Sequence, residues 1–82
     1  MFLYWIVLEE NNSEDWVRCR WFTGEASGDN AYVEVENSEK RIRLTGETAD
    51  DFWNELFLAL RKDKKIVYVQ ADSDEVEEVS AA

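Results

Sequence analysis

The residues best suited to chemistry in this chain are a single cysteine, Cys19, a carboxylate pair at Asp50 and Asp51, and an acidic run from Asp72 to Glu78. A thiol nucleophile needs a base beside it, and acid–base catalysis needs two titrating groups facing one cleft. The chain has no histidine, so the commonest base and metal ligand is missing. Cys19 falls on the apolar side of an alternating run, where core packing is expected rather than attack on a substrate. Asp50 and Asp51 are neighbours on an expected helix and project about 100° apart, which suits a helix start better than a shared cleft. The run from Asp72 opens like a calcium loop, but its sixth position is Glu77 rather than glycine. Gly24 to Gly28 lacks the lysine of a phosphate cradle and leads into a strand. No catalytic residue, cofactor or metal is expected, and the chemistry points away from an enzyme.

Charge narrows the choice of partner. The 82 residues carry 19 acids against 9 bases, a net charge of −10. Nucleic acid and anionic membrane would both be repelled, whereas a basic protein would be attracted. At 45% apolar and 13% aromatic residues the chain is too hydrophobic to stay disordered, and its length suits one domain. One cysteine fits a reducing interior, so a cytoplasmic location is expected. The apolar run Phe2 to Leu8 is short for a membrane span and lacks the basic flank of a signal peptide.

The elements that position these residues follow from periodicity. Phe2 to Leu8 is apolar on both faces and predicts a central strand, with Glu9 to Asp15 as a loop. Trp16 to Phe22, Ala31 to Glu36 and Arg41 to Thr45 alternate with period two, as half-buried antiparallel strands do. A turn at Ser38 and Glu39 sets Glu36 opposite Arg41, Glu34 opposite Arg43, Val35 opposite Ile42 and Val33 opposite Leu44. Folding back over 24–30 would add Arg20 opposite Glu34 and Arg18 opposite Glu36, a three-strand charge ladder. Thr48 with Asp51 reads as a capping box opening a helix whose apolar face holds Ala49, Phe52, Trp53, Leu56, Ala59 and Leu60. Leu58 projects from the other side. Ile66 to Ala71 is a last strand. The expected fold is α+β: a five-stranded antiparallel sheet, order 4-3-2-1-5 with connectivity β-β-β-β-α-β, and one helix packed on one face. Residues 1–71 form the domain and 72–82 an acidic C-terminal tail.

Two surfaces remain for partner binding. One is acidic: the first loop, the helix start with Glu47, Asp50, Asp51 and Glu55, and the tail with Asp72, Asp74, Glu75, Glu77 and Glu78. The other is aromatic: Trp16, Phe22 and Tyr32 on the uncovered sheet face, with Leu58 on the helix as a further hot spot. In size, charge and sheet-plus-helix reading the chain resembles small acidic inhibitors of phages and mobile elements, among them anti-CRISPR, antirestriction and uracil-glycosylase-inhibitor proteins. No residue motif ties it to one of them, so the resemblance carries over no site residue. It implies a non-enzymatic inhibitor, acting in the host-cell cytoplasm if phage-encoded, whose carboxylates imitate DNA phosphates and occupy the basic surface of a nucleic-acid-binding host protein. Two other readings are an immunity protein or antitoxin neutralising a cationic nuclease toxin, and a structural subunit that homodimerises through its aromatic sheet face.

Overall fold

The computed structural model describes residues 4–19, 21–26, 31–36 and 41–79. β1 (Tyr4–Glu10) and β2 (Ser13–Cys19) form a hairpin whose two turn residues, Asn11 and Asn12, have φ of 46° and 66°. Two left-handed residues make the type I′ turn that matches strand twist, and asparagine tolerates that region better than other side chains. The expected loop from Glu9 to Asp15 is therefore strand on both sides of a two-residue turn. β3 (Trp21–Glu25), β4 (Tyr32–Glu36) and β5 (Arg41–Thr45) follow, then the helix α1 (Gly46–Arg61) and β6 (Ile66–Gln70). A 3-10 turn at Ser73–Glu75 leads into β7 (Val76–Val79), so the acidic segment after residue 71 carries regular structure.

The strands form two sheets, not one. β2-β1-β6 is three-stranded and mixed, and β3-β4-β5-β7 is four-stranded and antiparallel. The α+β class and the single helix hold. The single five-stranded sheet does not, because the run read as one strand from Trp16 to Phe22 is divided: β2 ends at Cys19 in one sheet and β3 begins at Trp21 in the other. Period-two alternation cannot report such a corner, since each half alternates normally by itself. The first strand is central in its sheet and β6, the strand expected to be last, lies beside it, but that pair runs parallel rather than antiparallel. Counting reversals fixes direction only within one sheet, and the corner takes the chain out of it.

Charge set the register of one hairpin and misplaced the next. Glu36 faces Arg41, Val35 faces Ile42, Glu34 faces Arg43 and Val33 faces Leu44, with ion pairs of 2.9 Å (Arg41–Glu36) and 3.3 Å (Arg43–Glu34). The expected turn residues Ser38 and Glu39 lie outside the described residues, as does Arg20. Glu36 and Glu34 face Trp21 and Thr23 on β3, and Arg18 faces Trp5 in the other sheet. The ladder's third strand is β7 instead, which sets Glu77 opposite Arg43.

One core sits between the two sheets and the helix. Ile6, Leu8, Val17, Cys19, Val67 and Val69 enter from the three-stranded sheet, Val33, Val35, Ile42 and Leu44 from the other, and Ala49, Phe52, Leu56 and Ala59 from α1. Leu60, expected on the apolar helix face, is 54% exposed. Phe22, expected on the outer sheet face, packs edge-on against Phe52 and Trp53, each 5.9 Å away between ring centres.

The helix start also departs from expectation. α1 begins at Gly46, two residues before Thr48, and its N-cap Thr45 makes no side-chain capping bond. Glu75 takes that role from 28 residues away. Its carboxylate accepts the backbone N–H of Glu47 and of Thr48, both at 3.1 Å, and the Thr48 hydroxyl at 2.8 Å. These donors hold the Glu75 carboxyl below the usual range, the hydroxyl contributing most. Gly46 makes room for it: φ is +58°, and a Cβ there would overlap the Glu75 carboxylate.

Candidate functional site

Segments far apart in sequence meet at one end of the molecule. The Ala71 N–H donates to the Glu9 carbonyl at 2.9 Å, joining the first hairpin to the end of β6. The Gln70 N–H donates to Asp51 at 2.8 Å, and the Asp72 N–H to the Thr48 hydroxyl at 3.0 Å, joining both to the helix start. Glu75 closes the group through Glu47 and Thr48. Among the described residues nine carboxylates collect there: Glu9, Glu10, Glu14, Glu47, Asp50, Asp51, Asp72, Asp74 and Glu75, from segments 9–14, 46–51 and 70–75, none of which contains lysine or arginine. Glu9 and Glu14 face each other directly across the hairpin, a like-charge pairing that local stability alone would not favour.

These carboxylates do different work. Glu75, Asp51 and Asp72 are engaged internally; Asp72 accepts the Asp74 N–H at 3.0 Å and opens the 3-10 turn. Among the described residues, the side chains of Glu47, Asp50 and Asp74 accept no hydrogen bond, and all three residues are exposed. The helix N-terminus lies beneath this end, and its partial positive charge offsets part of the repulsion between the acids. Glu55 stands apart from this end, lining a groove with Lys62, Lys64 and Lys65. Glu77 and Glu78 lie along β7, exposed at the edge of the four-stranded sheet.

The aromatic surface has a different membership from the one expected. Of Trp16, Phe22 and Tyr32, only Trp16 stands on the uncovered face of the three-stranded sheet. Phe22 is in the core layer, and Tyr32 is half-buried on the other sheet under the Arg43 guanidinium, 4.8 Å from its ring centre. Trp5 and Tyr68 take their places. Trp5 and Tyr68 each meet Trp16 edge-on, at 5.9 and 6.4 Å between ring centres. Val7, between Trp16 on β2 and Tyr68 on β6, is fully buried on this face although no helix among the described residues covers it. The rings remain 39–48% exposed, and Arg18 sits over Trp5 at 5.8 Å. Tyr68 was legible as the outward residue of an alternating strand. Trp5 was legible only as one of the first-strand aromatics that a single helix leaves beside Trp16 on the open face.

Leu58 is exposed, as its position opposite the buried helix face requires, with Phe57 and Leu60 exposed beside it. Among the described residues, no group of histidine, cysteine or acidic side chains is placed to hold a metal ion, and no helix is long and apolar enough to cross a membrane.

What fold and surfaces together define is an α+β protein of two sheets bridged by one helix, with an acidic end and an aromatic sheet face. Compared with protein-family models, curated proteins and solved structures, the chain matches none.

Proposed function

We propose that this chain is a non-enzymatic binding protein whose acidic end occupies the basic, nucleic-acid-binding surface of another protein. One observation carries the reading: three sequence-distant acidic segments without a single base are brought to one end, and several of their carboxylates are left facing solvent. The exposed carboxylates of Glu47, Asp50 and Asp74, which accept no hydrogen bond among the described residues, add nothing to folding, whereas a basic partner would be steered to them and would gain charge-assisted contacts. Carboxylates so gathered offer such a partner what a phosphate backbone offers, in keeping with an inhibitor that competes with DNA.

The test is capture of host proteins on the immobilised chain at low salt, followed by elution with duplex DNA. Release of nucleic-acid-binding proteins by DNA, and by raised salt, supports the reading. Captured proteins that DNA fails to displace contradict it. An immunity-type inhibitor of a cationic nuclease would act through the same end and differ in the identity of the protein released.

The uncovered aromatic face supports a second reading, a homodimer joined through Trp5, Trp16 and Tyr68. Sedimentation separates the two. A dimer that persists at high salt and is lost on Trp16→Lys favours the aromatic face, and a monomer excludes it.

A further inference from the structure

The open edge of β6 lies away from the acidic end and differs from it in chemistry. β6 is an outer strand of its sheet, paired only with β1 among the described residues. The Lys65 carbonyl accepts from the Trp5 N–H at 2.8 Å, and the Ala71 N–H donates to the Glu9 carbonyl, so odd-numbered residues of this stretch turn their backbone groups toward β1. Ile66, Tyr68 and Gln70 turn theirs outward. The Gln70 N–H confirms this direction, since it meets Asp51 on the helix, and that contact also closes the upper end of the edge. Among the described residues, the N–H and C=O groups of Ile66 and Tyr68 have no strand beside them, and the edge can make up to four ladder hydrogen bonds with an added strand.

Free edges are usually blocked by proline, a bulge or an inward charge. Ile66-Val-Tyr-Val-Gln70 has none of these within the strand. Beside the edge runs a groove of roughly 570 Å³, with Leu58 and Ala59 of α1 on one wall and Ile66 and Tyr68 on the other. Its charged lining is three lysines, Lys62, Lys64 and Lys65, against one carboxylate, Glu55; Lys62 and Lys64 are exposed, and among the described residues neither pairs with a carboxylate. The lysines follow the C-terminus of a 16-residue helix, about 24 Å from its acidic start.

We propose that this edge and groove bind an extended peptide of a partner protein, alternating aliphatic and acidic residues, as a fourth strand beside β6. Backbone hydrogen bonds to Ile66 and Tyr68 hold the strand. Its aliphatic side chains cover the groove, and its carboxylates meet Lys62 and Lys64. This site does not depend on the acidic end, and each can fail without the other.

The probe is a fluorescein-labelled peptide of alternating valine and glutamate, titrated with the whole chain and read by fluorescence anisotropy. Saturable binding is expected, with slowed amide exchange at Ile66 and Tyr68. Lys62→Glu with Lys64→Glu should weaken binding about tenfold, by replacing exposed attractions with repulsions. N-methylating the peptide at alternate residues should abolish binding in one phase of the alternation and spare it in the other, because only one set of N–H groups faces β6. Equal binding of a valine–lysine peptide would overturn the proposal, as would binding without protection at Ile66 and Tyr68. So would a free chain that sediments as a dimer with those amides already protected, since the edge would then belong to a second copy.

Discussion

Replacing Gly46 with alanine tests whether the segment after β6 is a structural latch. Gly46 has φ of +58°, where a side chain costs about 1–2 kcal/mol. For a domain of this size each kcal/mol moves Tm by roughly 4–8 °C, so backbone strain alone should lower Tm by about 4–16 °C. A second effect adds to it. The new Cβ would overlap the Glu75 carboxylate, which must withdraw from the Glu47 and Thr48 N–H groups and from the buried Thr48 hydroxyl. Thermal melting by circular dichroism of the four proteins in a Gly46→Ala, Glu75→Ala cycle separates the two effects. Gly46→Ala should destabilise the Glu75→Ala protein by the strain alone and the parent by clearly more. Equal losses in the two backgrounds would refute the latch.

Acid unfolding gives a further check on Glu75. Its carboxyl is held below the ordinary value of 4.5, so the stability it contributes is present above that pH and is lost as pH falls through the lowered value. Glu75→Gln should flatten the acid limb of the stability curve relative to the parent; identical limbs would count against the capping contact. Asn12→Gly should raise Tm by at most about 4–8 °C, because an Asn-Gly pair suits a type I′ turn and relieves up to about 1 kcal/mol of left-handed strain at φ 66°. A drop in Tm would mean that the turn is of another type. Cys19, 2% exposed, should react with a thiol reagent at the rate of unfolding, and fast labelling of the native protein would place it elsewhere.

What the sequence made legible was local. β4, β5 and their register could be read because charges and aliphatics alternate in complementary order over a short connection, and each mispairing would oppose unlike faces. The helix's core residues Ala49, Phe52, Leu56 and Ala59 could be read from their spacing. The corner between Cys19 and Trp21 could not, because it changes which sheet a strand belongs to without changing its period. That one corner moved Phe22 into the core, moved Arg18 off the ladder and set β6 parallel to β1. The capping role of Glu75 was equally hidden: Thr48 and Asp51 make a plausible local box, and nothing local shows that they bond to Glu75 and Gln70 instead. Three acidic stretches were visible in the sequence, but their meeting at one end depends on those long-range hydrogen bonds.

Moving the same charge change around the molecule shows whether the acidic end is a recognition surface. Asp50→Lys with Asp74→Lys reverses two carboxylates of that end that accept no hydrogen bond among the described residues. Glu55→Lys with Glu78→Lys makes an equal change in net charge away from it. Affinity for a protein captured at low salt and released by DNA should fall steeply for the first pair, with a shallower salt dependence, and change little for the second. Equal losses for the two pairs would mean that bulk charge does the work and that the acidic end is not a recognition surface.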